Sequence, residues 1–116
     1  MEENFLGEFE LSLKVKDLVK SMDFYHKLGF ERVDGEPAKG WAVLRCGDLR
    51  LGLYQGHLEA NLMSFLGGNV KSITQDLKSK KIEMFSDATQ EKDGSVGAKL
   101  VDPDGNIIYF NSFTDE

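Results

Sequence analysis

The chain of 116 residues is poor in cysteine, with one residue, and poor in histidine, with two. A single cysteine excludes an intramolecular disulfide, and the Cys-x-x-Cys spacing of redox and zinc sites is absent. This scarcity favours a reducing compartment, and we predict that Cys46 is a small core residue. No secretory signal pattern stands at the N-terminus, and no run approaches the roughly 18 apolar residues of a membrane span. We therefore expect a cytoplasmic protein.

Common catalytic motifs and an excess of basic charge are also missing. The chain has no G-x-x-x-x-G-K-[ST] loop, no G-x-S-x-G elbow and no H-E-x-x-H helix. Lysine and arginine number 14 against 20 acidic residues, which gives a formal net charge of −6. An acidic surface is not attracted to nucleic acid or to anionic lipid. We therefore expect neither as a partner.

The chain opens with the pattern of a strand followed by a helix. Apolar and polar residues alternate from Glu8 to Lys16, which predicts a strand with one apolar face. The opposite, polar face carries Glu10 and Ser12. Asp17 is a typical helix N-cap, and Gly29 fits the left-handed residue that ends a helix. The apolar stripe of this predicted helix consists of Leu18, Met22 and Tyr25.

Further strands are predicted from the patterns that follow. In the first half they begin at Phe30–Val33, before a turn at 34–37, and continue at Trp41–Cys46 and Leu49–Gln55, joined by a tight Gly47–Asp48 hairpin. In the second half the predicted order is strand Leu62–Leu66, a helix capped by Asn69, a strand beginning at Ile82–Phe85, a polar loop Ser86–Ser95, and strands Ala98–Val101 and Asn106–Phe113.

The two halves repeat one plan. A displacement of 52 residues places Asp17 on Asn69, so that both predicted helix caps coincide. We predict one domain, residues 1–116, of two modules at about 8–56 and about 61–113. Strands and helices in this order favour an α+β fold over a doubly wound parallel sheet. The same displacement aligns Leu18 with Val70, Tyr25 with Leu77 and Phe30 with Ile82.

Two motifs resemble the glyoxalase/bleomycin-resistance/extradiol dioxygenase (vicinal oxygen chelate) superfamily. The first is Leu13-Lys14-Val15-Lys16-Asp17-Leu18 with Leu28-Gly29-Phe30, and the second is Asp102-Pro103-Asp104-Gly105-Asn106 before a strand. The resemblance implies an α+β fold of two βαβββ modules that form a curved mixed sheet around a cleft, and a homodimer. In many members the cleft holds a divalent metal, bound by His, Glu or Gln from the first and last strands of each module.

The resemblance places those ligand positions on Glu10, Leu62, Gly52 and Tyr109. A divalent metal needs several nitrogen or oxygen donors that converge. One carboxylate among these four residues does not supply them. We therefore predict no metal and no other cofactor, with a divalent metal as the disfavoured alternative.

Other side chains suit the binding of a small organic molecule. Alternation places Arg50, Gly52 and Tyr54 on the face opposite Leu49, Leu51 and Leu53, whereas the direction of Trp41 stays open. Aromatic walls stack on planar ligands or attract cations. The alternatives are packing at a sheet edge or dimer interface for the aromatic residues, and a solvated carboxylate for Glu10. The predicted ligand-binding residues are Glu10, Ser12, Trp41, Arg50, Tyr54 and Tyr109.

Three functions remain open from the sequence. The first is a family protein without the usual metal ligands that binds a cationic or planar organic molecule and performs no metal catalysis. The second is a metal-dependent lyase, isomerase or dioxygenase that uses Glu10 with non-standard partners such as Asn61 or His57. The third is a non-catalytic interaction or regulatory module that uses the fold as a scaffold.

Overall fold

The computed structural model describes residues 5–113, in which eight β-strands and two α-helices form an α+β fold, as predicted. Neither of these helices is long and apolar enough to cross a membrane. A short 3-10 turn, Pro37–Lys39, connects the second and third strands. The elements are β1 (Gly7–Lys14), α1 (Leu18–Lys27), β2 (Glu31–Glu36), β3 (Trp41–Cys46), β4 (Leu49–Tyr54), β5 (Leu62–Gly67), α2 (Val70–Ser79), β6 (Ser86–Gln90), β7 (Val96–Val101) and β8 (Ile107–Asn111).

The described chain divides into two compact units. The N-terminal unit is Glu10–Asn61, and the C-terminal unit contains residues 5–9 together with residues 62–113. The first residues of β1 therefore belong to the C-terminal unit, and the rest of that strand belongs to the N-terminal unit. Each unit contains one helix and its own apolar core.

In the N-terminal unit the strand order is β2-β3-β4-β1. β1 and β4 are parallel, and the other neighbours are antiparallel. Parallel neighbours need a long crossover connection, and the chain between β1 and β4 includes α1. One sheet face packs against this helix. The buried core consists of Leu18, Phe30, Ala42, Leu44, Leu51 and Leu53.

The C-terminal unit repeats the arrangement in the order β5-β8-β7-β6, with the first residues of β1 beside β5. β5 and β8 are parallel, and β7 is antiparallel to both β6 and β8. The Phe9 and Phe65 rings pack together, with 5.4 Å between their centroids. The buried core consists of Val70, Ile73, Val96, Ala98, Leu100 and Phe110.

Both predicted helix starts are confirmed. The Asp17 carboxylate accepts a hydrogen bond from the Lys20 backbone N–H at 3.1 Å, and the Asn69 side chain accepts one from the Ser72 N–H at 2.9 Å. These bonds satisfy donors that the first turn of a helix leaves without partners. Gly29 is left-handed, with φ of 111°, as predicted for the end of α1.

Two strand predictions are wrong in position. Asp34 and Gly35, predicted as part of a turn, lie within β2 and pair with Val43 and Ala42 of β3, and the chain turns later, at Pro37–Lys39. The segment Ser86–Gln90, predicted as part of a loop, is strand β6, whereas Ile82–Phe85 precedes it. β6 lies at the sheet edge, and Ala88 is its one residue that packs against the core, so its sequence carries no apolar alternation.

The prediction that Cys46 is a core residue is also wrong. Its side chain is exposed at the last position of β3, directly before the hairpin turn. Alternation places it on the same face as Ala42 and Leu44. Ala42 and Leu44 are buried in the core, whereas Cys46 lies at the end of the strand, beyond the core.

Candidate functional site

The registry of the N-terminal unit determines which side chains share the face opposite α1. Leu51 and Leu53 belong to the core beneath the helix, so Arg50, Gly52 and Tyr54 occupy the opposite face. Trp41 pairs directly with Tyr54 across β3 and β4. Because opposed residues of neighbouring strands point to the same side, Trp41 also lies on this face. We call it the polar face of the N-terminal unit.

Glu10 is the best-buried charged residue of this face, with 1% of its side chain exposed. Its Oε2 accepts hydrogen bonds from the Ser12 hydroxyl at 2.6 Å and from the Tyr54 hydroxyl at 2.7 Å. Its Oε1 accepts one from the Arg50 Nε at 3.0 Å. Burial of a carboxylate is costly unless it is paired and hydrogen-bonded, and here both conditions hold. The alternative of a solvated Glu10 is therefore wrong.

Gly52 leaves room for this arrangement. A Cβ atom at this position would overlap Glu10 Oε2 and would lie 2.6 Å from Cε2 of Tyr54. The Tyr54 ring therefore lies over Gly52, with its hydroxyl group directed toward Glu10. Strand alternation places Gly52 and Tyr54 on one face, as predicted. The Tyr54 ring can lie over Gly52 because Gly52 has no side chain.

Trp41 and Tyr54 form a parallel aromatic pair. Their ring planes differ by 2°, and 6.4 Å separates the centroids. Both residues are half-buried, so each ring keeps some accessible area. Flat, amphipathic rings fixed in one orientation are suited to contact with a planar ligand.

Arg45 is a residue of this face that the sequence prediction did not include. It is half-buried and stands directly opposite Arg50 in the β3–β4 registry. The two-residue Gly47–Asp48 turn predicted from sequence already specifies this pairing. Because opposed residues point to the same side, that pairing also fixes the face of Arg45, a step that the sequence prediction did not take.

Tyr109 belongs to the C-terminal unit, where it lies in a separate polar cluster. The Asn111 side-chain amide donates hydrogen bonds to the Tyr109 hydroxyl at 2.8 Å and to the Ser95 hydroxyl at 2.9 Å. The Lys99 ammonium lies 5.8 Å from the centre of the Tyr109 ring, within the range of a cation–π contact. The structure thus brings Glu10, Ser12, Trp41, Arg50 and Tyr54 together, and it places Tyr109 in the other unit.

Burial raises the pKa of Tyr109 above its ordinary value of 10.0. The Asn111 hydrogen bond lowers this pKa, whereas the negative charges of Glu91 and Asp93 raise it. A Cβ atom at Gly97 would overlap the Glu91 carboxylate and would lie 3.1 Å from the Tyr109 hydroxyl oxygen. Each unit therefore has a tyrosine and a glutamate packed over a strand glycine.

The residues at the implied metal positions do not fit a divalent ion. The Glu10 carboxylate is held by Arg50, Tyr54 and Ser12, and Gly52 offers no donor. In the C-terminal unit, Leu62 is a buried apolar side chain. Among residues 5–113, no three His, Cys, Asp or Glu side chains are grouped so that they could hold a metal.

The non-standard metal partners considered from sequence are engaged in other contacts. The Asn61 side-chain oxygen accepts a hydrogen bond from the Lys14 backbone N–H at 2.8 Å. The His57 Nε2 lies 2.7 Å from the carbonyl oxygen of Lys39. Neither contact involves Glu10, which is bonded to its own partners.

Comparison with family models identifies one family. The model of the Glyoxalase/Bleomycin resistance protein/Dioxygenase superfamily matches residues 9–110. A comparison with curated proteins finds no significant match.

Solved structures with the same fold are also found. A structure described as NAD-dependent benzaldehyde dehydrogenase from Legionella pneumophila has a TM-score of 0.74 at 25% identity, over 89% of this chain and 96% of that chain. A superfamily member from Vibrio splendidus has a TM-score of 0.64 at 15% identity, with the same shares covered. The methylmalonyl-CoA epimerase of Streptomyces coelicolor has a TM-score of 0.62 at 19% identity, over 91% of this chain and 94% of that chain. The last two similarities concern the fold alone.

Proposed function

Because the chain belongs to the Glyoxalase/Bleomycin resistance protein/Dioxygenase superfamily, we propose that it binds a small planar organic molecule without a metal. The polar face of the N-terminal unit is the binding surface. The observation that carries the proposal is the parallel Trp41–Tyr54 pair beside a buried carboxylate that is hydrogen-bonded to three side chains. The ligand is then recognised by contact with aromatic rings and not by coordination.

The bonding of Glu10 supports metal independence. A metal ligand needs accessible lone pairs, whereas the Glu10 oxygens accept bonds from Ser12, Tyr54 and Arg50 within 2.6–3.0 Å. The Arg50 guanidinium supplies the positive charge that a bound cation would otherwise provide to this carboxylate.

The same bonding changes the expected ligand. A cationic ligand was one of the two kinds expected from sequence, because Glu10 was then a candidate anionic anchor. With Arg50 as its ion-pair partner and 1% exposure, Glu10 does not attract a second cation from solvent. The planar ligand remains, and Trp41 and Tyr54 are its principal contacts.

The sole tryptophan of the chain provides a direct measurement. Protein purified without affinity metal and treated with a chelator is titrated with three compounds that share one ring system: quinoline, N-methylquinolinium and quinoline-2-carboxylate. We expect saturable quenching of Trp41 emission by at least one of them, after correction against N-acetyltryptophanamide. The absence of saturable quenching by all three would overturn the proposal.

A pair of variants locates the binding. Tyr54→Leu removes one ring of the aromatic pair, and we expect it to weaken binding about fivefold, since an aromatic stacking contact contributes about 1 kcal/mol. Phe24→Leu is the matched control, because Phe24 is an exposed aromatic residue on the outer side of α1. Equal affinities of the two variants would contradict binding at Trp41 and Tyr54.

Metal content distinguishes this proposal from the lyase, isomerase or dioxygenase alternative. The purified protein is challenged with nickel, zinc, manganese and iron(II), and bound metal is measured by elemental mass spectrometry. We expect no stoichiometric retention. Retention that Glu10→Gln abolishes would instead support a metal enzyme with Glu10 as a ligand.

A homodimer, which the family resemblance implies, and a cytoplasmic location, which the composition favours, belong to the proposal as expectations. Light scattering coupled to size-exclusion chromatography measures the first. A dimer whose formation covers Trp41 and prevents quenching would support the interaction-module alternative over ligand binding.

A further inference from the structure

We infer that Glu10 acts as a positioning residue: its carboxylate holds the Tyr54 ring beside Trp41, so that a planar ligand binds on the aromatic pair and not between its two rings. This inference rests on the proposed function and specifies how the ligand is bound. It follows from the hydrogen bonds of Glu10 and from the spacing of the two rings. It also gives a role to the one carboxylate among the four positions at which the family resemblance implies metal ligands.

The Glu10 carboxylate is itself held in place by its neighbours. Its side chain is 1% exposed, and its Oε1 accepts a hydrogen bond from Arg50 Nε at 3.0 Å. Its Oε2 accepts one from the Ser12 hydroxyl at 2.6 Å. Ser12 and Glu10 are two residues apart on β1, so their side chains share a face. The buried carboxylate is therefore a fixed acceptor for the Tyr54 hydroxyl.

The Tyr54 side chain reaches this acceptor by extending along the sheet. In the parallel β1–β4 pairing, Tyr54 stands opposite Lys14, and Gly52 stands opposite Ser12. The Tyr54 hydroxyl nevertheless donates to Glu10 Oε2 at 2.7 Å, and the ring passes over Gly52 on the way. A hydrogen bond to an ionised acceptor is stronger than one between neutral groups. This bond therefore favours one orientation of the Tyr54 ring over the others that the open space above Gly52 allows.

The spacing of the rings excludes a ligand between them. The Trp41 and Tyr54 planes differ by 2°, and their centroids are 6.4 Å apart. The distance between two parallel planes cannot exceed the distance between the centroids. A flat molecule needs carbon–carbon contacts of about 3.5–4.0 Å on each side, which requires about 7–8 Å between the rings. Insertion would therefore require Tyr54 to move, and its bond to Glu10 opposes that movement.

The variant Tyr54→Phe tests the positioning role, because it keeps the ring and removes only the hydroxyl. The ligand is the quinoline compound that binds wild-type protein most tightly. We expect Tyr54→Phe to weaken its binding about fivefold, since the ring is no longer fixed before the ligand arrives. Tyr25→Phe is the matched control, because Tyr25 packs on the core side of the same unit. Unweakened binding by Tyr54→Phe would overturn this inference and leave the proposed function standing, whereas no binding by wild-type protein would overturn the proposed function itself.

A double-mutant cycle assigns the effect to Glu10. If Glu10 acts through the Tyr54 hydroxyl, Glu10→Gln weakens binding in the wild-type background but has no further effect in the Tyr54→Phe background. Additive effects of the two substitutions on affinity would show that Glu10 acts by another route and would overturn the assignment.

Nuclear Overhauser effects between ring protons give a readout that a loss of stability alone does not change. In wild-type protein we expect contacts between Trp41 and Tyr54 both without and with ligand, because the ligand does not enter between the rings. In Tyr54→Phe we expect these contacts to weaken, whereas the Tyr25 and Phe30 rings, with centroids 5.6 Å apart, keep theirs. Loss of the Trp41–Tyr54 contacts on addition of ligand would overturn the binding mode. Unaltered contacts in Tyr54→Phe would overturn the positioning role.

Discussion

At the scale of single residues, the packing of the polar face requires that Gly52 has no side chain. The Tyr54 ring and the Glu10 carboxylate occupy the volume that a Cβ atom would need. Neither group can move cheaply, because each is hydrogen-bonded to the other. Glycine at this position is therefore explained by close packing, not by backbone conformation, since its φ is not left-handed.

Gly52→Ala should destabilise the protein by about 1–3 kcal/mol, since overpacking displaces side chains that are already bonded. Urea unfolding measures this loss, and a shift in Trp41 emission reports the displaced Tyr54. Gly47→Ala is the control. Unlike Gly52→Ala, it strains the backbone, at φ of 58°, but no atom lies within 4 Å of its added Cβ. We expect Gly47→Ala to leave Trp41 emission unchanged. The same result for Gly52→Ala would reject the packing explanation.

Glu10→Ala should be costly for a different reason. It leaves Arg50, whose side chain is 17% exposed, without its carboxylate partner. Removal of one member of a buried pair costs about 3–5 kcal/mol, whereas an exposed pair contributes about 0–1 kcal/mol. Asp23→Ala, which breaks the exposed Asp23–Lys27 pair, is the control. Equal unfolding midpoints for the two variants would contradict the buried-pair assignment.

At the scale of elements, the two helices end alike but with different residues. Gly29 ends α1 with φ of 111°, and the equivalent residue after α2 is Lys81, with φ of 67°. Both follow a helix that begins at a side-chain cap, Asp17 or Asn69. A residue other than glycine in the left-handed region pays a conformational penalty of about 1–2 kcal/mol. The two modules thus share a left-handed residue after the helix, although it is glycine in one and lysine in the other.

Lys81→Gly should therefore stabilise the protein by about 0.5–1 kcal/mol, because relief of the left-handed strain exceeds the entropy that glycine adds to the unfolded chain. Thermal or urea unfolding measures the gain. Lys80→Gly is the neighbouring control, because its φ of −92° gives no strain to relieve and it loses the Asp76 contact. A destabilised Lys81→Gly protein would show that the left-handed conformation of Lys81 does not reduce stability.

At the scale of the whole molecule, Tyr109 links stability to alkaline pH. Its pKa is raised above 10.0 in the folded state, chiefly by burial, so folding favours the neutral phenol. Its contribution to stability is fully present below pH 10.0. It is lost as the pH rises from there through the folded pKa, because the unfolded chain releases the proton first.

We expect wild-type protein to lose more stability than Tyr109→Phe between neutral pH and pH values above 10.0. Urea unfolding over this range gives the two slopes, and Tyr25→Phe serves as the comparison variant. Parallel slopes for wild type and Tyr109→Phe would refute the linkage. The measurement isolates Tyr109 because lysines that titrate in the same range are common to both proteins.

Much of the fold was predictable from local patterns. Both helix caps and the hairpin at Gly47–Asp48 depend on interactions within a few residues, and these predictions are confirmed. Alternation predicted an apolar face for β1, but the fully buried residues of that strand are Glu10 and Ser12, on its polar face. β6 was missed because an edge strand with a single partly buried residue, Ala88, has no apolar period to detect. Cys46 was misplaced because alternation indicates a face but not where the helix above that face ends.

What the sequence by itself determined about this protein is its α+β character, its repeated strand–helix order and the list of side chains that share a strand face, because periodicity and caps are local. Only the tertiary structure decided which of those side chains meet. Glu10 is 40 positions from Arg50 and 44 from Tyr54 along the chain, yet the β1–β4 pairing makes all three neighbours. Burial of that carboxylate and the space above Gly52 arise only once distant strands are brought together.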